Sequence, residues 1–150
     1  GDLANLLTDM FIYGFNELKR AMVIAKIPAL IGVQSANCAP LYHAYKENLQ
    51  EVPTIKGEKT LAEGIAIASP IRGKQILDAV RNSKGHFITV SEEELKEALL
   101  EMCGKGYYIE PTSASTIAGI KKYLRQCDHR NEELIVSVFT GIGLKTQGPF

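Results

Sequence analysis

Six residues late in the chain, Leu134-Ile-Val-Ser-Val-Phe139, constrain its folding more than any other stretch. They are nearly all apolar and largely β-branched, with polar Asn131-Glu-Glu133 before them and Thr140-Gly141 after. A strand with one wet face alternates apolar and polar residues. This one does not, so it predicts a strand buried on both faces, as in a parallel sheet between helices. Parallel strands need long crossovers, usually helical, so the rest of the chain should alternate helix and strand.

That alternation is present. Leu3, Leu6, Leu7, Met10, Phe11, Phe15, Leu18 and Met22 recur at three- and four-residue steps, predicting a helix over about Leu3 to Val23 with one apolar face. Ala29 to Gln34 reads as a buried strand, and Pro40 to Tyr45 as a helix with proline in its first turn. Glu47 to Thr60 is polar, carries Pro53 and Gly57, and reads as a surface loop, followed by a small apolar stretch, Leu61 to Ala68. A helix is expected over Gly73 to Asn82 and a strand over His86 to Val90. Ser91 and Glu94 have the spacing of a capping box, in which each side chain satisfies the other's backbone amide, so a helix should run from Glu92 to Cys103. Gly104 and Gly106 stop it. A brief extended piece, Tyr107 to Ile109, and a helix from Thr112 to Leu124 complete an α/β chain.

Seventeen basic residues balance seventeen acidic ones, so no global field draws the chain toward nucleic acid or membrane surfaces. No apolar run approaches the roughly 18 residues of a membrane helix. Cys38, Cys103 and Cys127 are odd in number and widely spaced, which suits reduced thiols in the cytoplasm. His43, His86 and His129 have no ligand partners at metal-binding spacing. Cys38 follows a predicted strand but has no identifiable basic partner, so it is a poor nucleophile candidate.

Ligands of parallel sheets sit beyond the carboxyl ends of the strands. Two segments occupy such positions, Gln34 to Cys38 and Thr140 to Lys145. Gly141 and Gly143 can let a ligand approach the backbone closely, or can simply make a turn. Glu110-Pro111 can cap the following helix, and Glu92 to Glu94 suit the positive end of a helix dipole. From these residues alone both kinds of reading stay open.

The order of several short motifs adds a resemblance. Gly14-Phe-Asn-Glu-Leu18 is followed by Ile27-Pro28, Ile31-Gly-Val-Gln34, Cys38-Ala-Pro40, Thr60-Leu-Ala-Glu-Gly-Ile65, Pro70-Ile-Arg72, Glu110-Pro-Thr-Ser-Ala114 and Val138-Phe-Thr-Gly-Ile-Gly-Leu-Lys145. The series resembles the C-terminal portion of threonine synthases, among the fold-type II (tryptophan synthase beta-like) enzymes dependent on pyridoxal 5'-phosphate. The resemblance implies that Thr140, with Gly141 beside it, meets the pyridine nitrogen of the cofactor. It also implies that Gly64 lines the cofactor region and that Glu110 and Ser113 border the active site. The activity implied is conversion of O-phosphohomoserine and water to threonine and phosphate. The alternatives are a threonine or serine dehydratase, a β-replacement synthase, or a non-catalytic module that binds a small ligand or a partner chain.

One family feature is missing. The Schiff-base lysine of these enzymes stands in a Ser-x-Lys-Asp type sequence that this chain lacks; Ser83-Lys84-Gly85 does not match it. The resemblance therefore implies a partner, the missing N-terminal half of the same enzyme, and an isolated chain without turnover. A small amino-acid substrate and a homo-oligomeric state complete the expectations.

Overall fold

The computed structural model describes residues 3–126 and 133–145, with side chains from residue 11 and up to 144. The elements run α1 (Leu3–Arg20), β1 (Ile31–Ser35), α2 (Pro40–Lys46), α3 (Gly73–Asn82), β2 (His86–Val90), α4 (Glu92–Gly104) and α5 (Pro111–Gln126). Short 3-10 turns occupy Glu63–Ile65 and Gly143–Lys145. β1 and β2 pair in parallel, from Ile31 opposite His86 to Ser35 opposite Val90.

Helices cover this small sheet on both sides, and the pleat of β2 shows why. Phe87 joins Leu41, Ala44, Ile76, Leu77 and Val80 in a core under α2 and α3. Val90, on the opposite face, joins Leu95, Ala98, Leu99, Met102, Ala114 and Ala118 in a second core under α4 and α5. Each side of the strand buries its own apolar set, which is why His86 to Val90 has no polar alternation. Gly32 faces the ring of its register partner Phe87: a methyl group there would lie 2.4 Å from the ring. Gly119 likewise brings α5 against Val33 of β1.

The capping box forms as expected. Ser91 Oγ accepts from the Glu94 amide at 3.2 Å, and Glu94 Oε2 accepts from the Ser91 amide at 2.8 Å. β1 starts two residues later than its apolar run. The Leu30 amide donates to Ser83 Oγ, and the Leu30 carbonyl lies against Gly85, so the turn between α3 and β2 engages this residue before the ladder begins.

Two expectations fail. The helix predicted to reach Val23 stops at Arg20, and its apolar stripe is not fully covered: Phe11 and Leu18 are exposed and Met22 is 90% exposed. More consequentially, the predicted buried strand 134–139 has no regular secondary structure and joins no sheet among the described residues. Leu134, Ile135, Val136, Val138 and Phe139 are exposed. A strand buried on both faces needs neighbouring strands at its edges and a layer on each side, and among the described residues this segment has α5 beside it and no strand. No described helix is long and apolar enough to cross a membrane. Cys127 and His129 lie outside the described residues.

Candidate functional site at the start of the fifth helix

Segment 133–143 runs antiparallel to α5, held to it at intervals. Tyr123 Oη donates to Glu133 at 3.3 Å, and Ser137 Oγ donates to Thr116 Oγ1 at 2.8 Å. The amides of Thr140 and Gly141 both donate to Ser113 Oγ, at 3.0 and 3.3 Å. The Glu110 amide donates to the Gly141 carbonyl at 3.1 Å, Ile109 bridges Ile142, and the Gly143 amide donates to the Tyr108 carbonyl at 3.0 Å. Residue numbers fall along α5 as they rise along the segment. The polar residues Ser113 and Thr116 recur near the helical repeat for this reason: each receives one point of the returning chain.

This path brings together four of the residues singled out in the sequence. Thr140 Oγ1 donates to Glu110 Oε1 at 3.0 Å and lies 3.4 Å from Ser113 Oγ. Ser113 is buried, whereas Thr140 is exposed and the segment leading to it is not a buried strand. Pro111 begins α5 immediately after Glu110, where its missing amide leaves no helical bond unmade.

Three glycines prove to be packed against protein side chains. A Cβ on Gly141 would lie 2.4 Å from the Glu110 carboxylate, and one on Gly143 would lie 2.9 Å from the Tyr108 ring. On Gly64 it would meet Thr112 Oγ1 at 2.7 Å. Gly64 is thus tied to the first turn of α5, one residue from Ser113, by direct contact with Thr112. None of these glycines has a positive φ, so the need at each is for close approach rather than for an unusual turn.

A second polar cluster escaped sequence reasoning. Glu92, at the start of α4 and just beyond the carboxyl end of β2, receives three donors. Its Oε1 accepts from Ser35 Oγ at 3.3 Å and Thr60 Oγ1 at 2.5 Å, and its Oε2 accepts from the Leu61 amide at 2.8 Å. Ser35 ends β1, so the cluster sits where ligands of parallel sheets are usually held. Here a segment of the chain itself occupies the place. It fixes residues 60–62, which lead directly into the turn containing Gly64. The position of Glu92 after a strand was the available signal; its reading as a dipole residue hid it.

The remaining candidates recede. Burial pushes the Cys38 thiol above its ordinary range, the opposite of nucleophile activation. His86 is held below the usual imidazole value by burial and by Lys46, and its ring stacks on Tyr123. His43 stacks edge-on with Tyr42. No group of three or more metal-ligating side chains occurs among the described residues. The side chain of Lys145 is outside the description, and Lys84 is exposed at a left-handed turn with φ of 60°.

Comparison with known proteins gives concordant results. The sequence profile of a family described as "Pyridoxal-phosphate dependent enzyme" matches residues 13–141. A threonine synthase of Methanocaldococcus jannaschii is 35% identical over 133 residues, which are 88% of this chain and 33% of that protein. Threonine synthase 2, chloroplastic, of Arabidopsis thaliana is 30% identical over 97% of this chain and 28% of its own length. The chain therefore spans about a third of the length of the curated relatives it matches. Among solved structures, a threonine deaminase from T.th. superposes with a TM-score of 0.59 at 19% identity, over 77% of this chain and 40% of that one. Maize serine racemase gives 0.56 at 14% identity, over 71% of this chain and 31% of that one. At such identities the likeness is one of fold, and it matches the helix-flanked parallel sheet described above.

Proposed function

This chain belongs to the pyridoxal-phosphate dependent enzymes, and from that premise we propose that it is the C-terminal part of a cytoplasmic threonine synthase. The reaction would convert O-phospho-L-homoserine and water to L-threonine and phosphate. The observation that carries the site assignment is the convergence of Glu110, Ser113, Thr140 and Gly141 at an exposed hydroxyl, although the sequence separates them by about thirty residues. The names of the curated relatives support the choice of reaction.

The residues present fit the ring of the cofactor. Thr140 Oγ1 is polar, its residue is exposed, and its own amide is anchored to Ser113, so it can meet a ring nitrogen without rearrangement of α5. When bound, pyridoxal phosphate serves as the electron sink for carbanions at the substrate's α and then β carbon. The chain's own contribution is positional. Ser113 fixes the backbone of Thr140 and Gly141, Glu110 holds the Thr140 hydroxyl, and Glu92 fixes the segment that carries Gly64 against Thr112.

The lysine that attaches the cofactor has no matching sequence here, so in this reading it comes from the portion of the relatives that the chain does not span. That portion would cover the exposed apolar segment 134–139, and alone the chain would be inactive and prone to associate with its own copies. The test is to assay the full-length protein with O-phosphohomoserine and with threonine or serine. Phosphate release from the first alone supports the assignment. Ammonia and a keto acid from threonine or serine would transfer it to the dehydratases.

A further inference from the structure

The two outer edges of the small sheet are not alike. The Ala36 amide donates to the Val90 carbonyl at 2.8 Å, across the parallel register of β1 and β2. Backbone groups of alternate residues point to opposite sides of a strand, so Gly32 and Gln34 face β2 while Ile31, Val33 and Ser35 face away from it. By the same alternation, Phe87 and Thr89 face outward from β2. There the Thr89 carbonyl accepts from Lys122 Nζ at 2.9 Å, and the same ammonium lies 3.3 Å from Glu94. A lysine laid on an edge obstructs the addition of another strand. On β1 the Ser35 carbonyl is taken by the Cys38 amide. The outward amides and carbonyls of the half-buried Ile31 and Val33 meet no hydrogen-bond partner among the described residues. Helices already cover both faces of the sheet, so it can grow at an edge alone.

α5 shows what lies on that open side. Helical residues three apart are rotated by about 60° around the axis. Lys122 reaches the outer edge of β2, Gly119 packs on Val33 of β1, Thr116 holds Ser137, and Ser113 holds the Thr140 amide. Around α5 the order is therefore β2, β1 and then the segment, which puts the apolar run 134–139 beyond β1 without pairing to it. We propose that β2 is the last strand of the sheet, closed by Lys122, and that the open edge of β1 receives one extended apolar strand from the part of the enzyme that this chain does not span, lodged between β1 and segment 134–139. The proposal rests on the reading of the chain as one part of a longer enzyme, since it spans about a third of its curated relatives. Such a strand pairs the free groups of Ile31 and Val33 and covers the exposed Leu134, Val136 and Val138 together.

The test is amide hydrogen exchange, read by NMR on the full-length protein. The Val33 amide is expected to exchange about a hundredfold or more slowly than the Phe87 amide, which faces the closed edge. Cross-strand NOEs should connect Ile31 and Val33 to residues outside the present sequence. Exchange at Val33 as fast as at Phe87 would overturn the inference. So would NOEs from Val33 to residues 134–139, which give the edge to that segment, or protection lost on dilution, which gives it to a second copy. Lys122→Met should let copies pair through β2, seen as a larger species in sedimentation and as slower exchange at Phe87, whereas Lys122→Arg should behave as the parent. A Lys122→Met protein unchanged in both respects would overturn the closure of β2. Phosphate release from O-phosphohomoserine is measured on the same sample. Release with a fast Val33 amide removes the inference and leaves the proposed function standing; a protected Val33 amide without release does the reverse.

Discussion

Replacing Glu92 by alanine should show how much the fold depends on the carboxylate beyond the end of β2. Three donors lose their acceptor: the hydroxyl of Ser35, fully buried, that of Thr60, 8% exposed, and the half-buried amide of Leu61. A buried donor left unpaired costs about 1–3 kcal/mol. The lower figure applies because Ser35 and Thr60 still accept from the Asn37 and Ala62 amides and Leu61 is within reach of water. Three donors at about 1 kcal/mol each give a loss of about 3 kcal/mol. For a chain of this length that lowers the melting temperature by roughly 6–12 °C. Glu92→Gln keeps one oxygen for the Leu61 amide, and its amide group can donate to the hydroxyls, so it should lose only about 1 kcal/mol. Urea denaturation of both variants measures the difference. A loss below about 1 kcal/mol in Glu92→Ala, or equal losses in the two variants, would refute the view that these three bonds hold the 60–62 segment.

Two other glycines and one carboxylate give contrasting expectations. A methyl group at Gly85 would lie 1.8 Å from the Leu30 carbonyl oxygen, a backbone atom with no freedom to turn aside, so Gly85→Ala should cost about 3 kcal/mol or more; Gly14 in α1 meets nothing within 4 Å, and Gly14→Ala should stabilise by up to about 1 kcal/mol. Both are read by thermal or urea melts. Glu101, paired with Lys105 and Lys121, is held down to about 2. Because the folded value lies below the unfolded one, its contribution is complete above the ordinary carboxylate value of about 4.3 and is lost as pH falls toward about 2. A carboxyl-carbon NMR titration should place its midpoint near 2, and Lys121→Met should raise that midpoint.

Features set by neighbours in the chain were legible in the sequence. The Ser91–Glu94 box needs only three residues, and both reciprocal bonds form. β2 was legible because its apolar run is covered on both faces by α2, α3, α4 and α5 within the same chain. The equally apolar 134–139 run was not, because burial of a strand depends on what lies beside it and no described strand does. Glu92 looked like a first-turn carboxylate because its partners, Ser35 and Thr60, are 57 and 32 residues away. Glu110, Ser113, Thr140 and Gly141 were found as separate motifs through the family resemblance. Only the fold shows that they share one hydrogen-bonded chain, and that Gly141 and Gly143 make room for Glu110 and Tyr108.

Everything proposed about activity depends on what stands opposite the oxygen of residue 140. A crystal structure of the full-length protein with pyridoxal phosphate bound measures this directly. The ring nitrogen is expected about 2.7–3.2 Å from Thr140 Oγ1, with Glu110 still on the other side of the hydroxyl. A ring nitrogen paired with a different side chain or with water, and Thr140 out of hydrogen-bonding reach, would contradict the account.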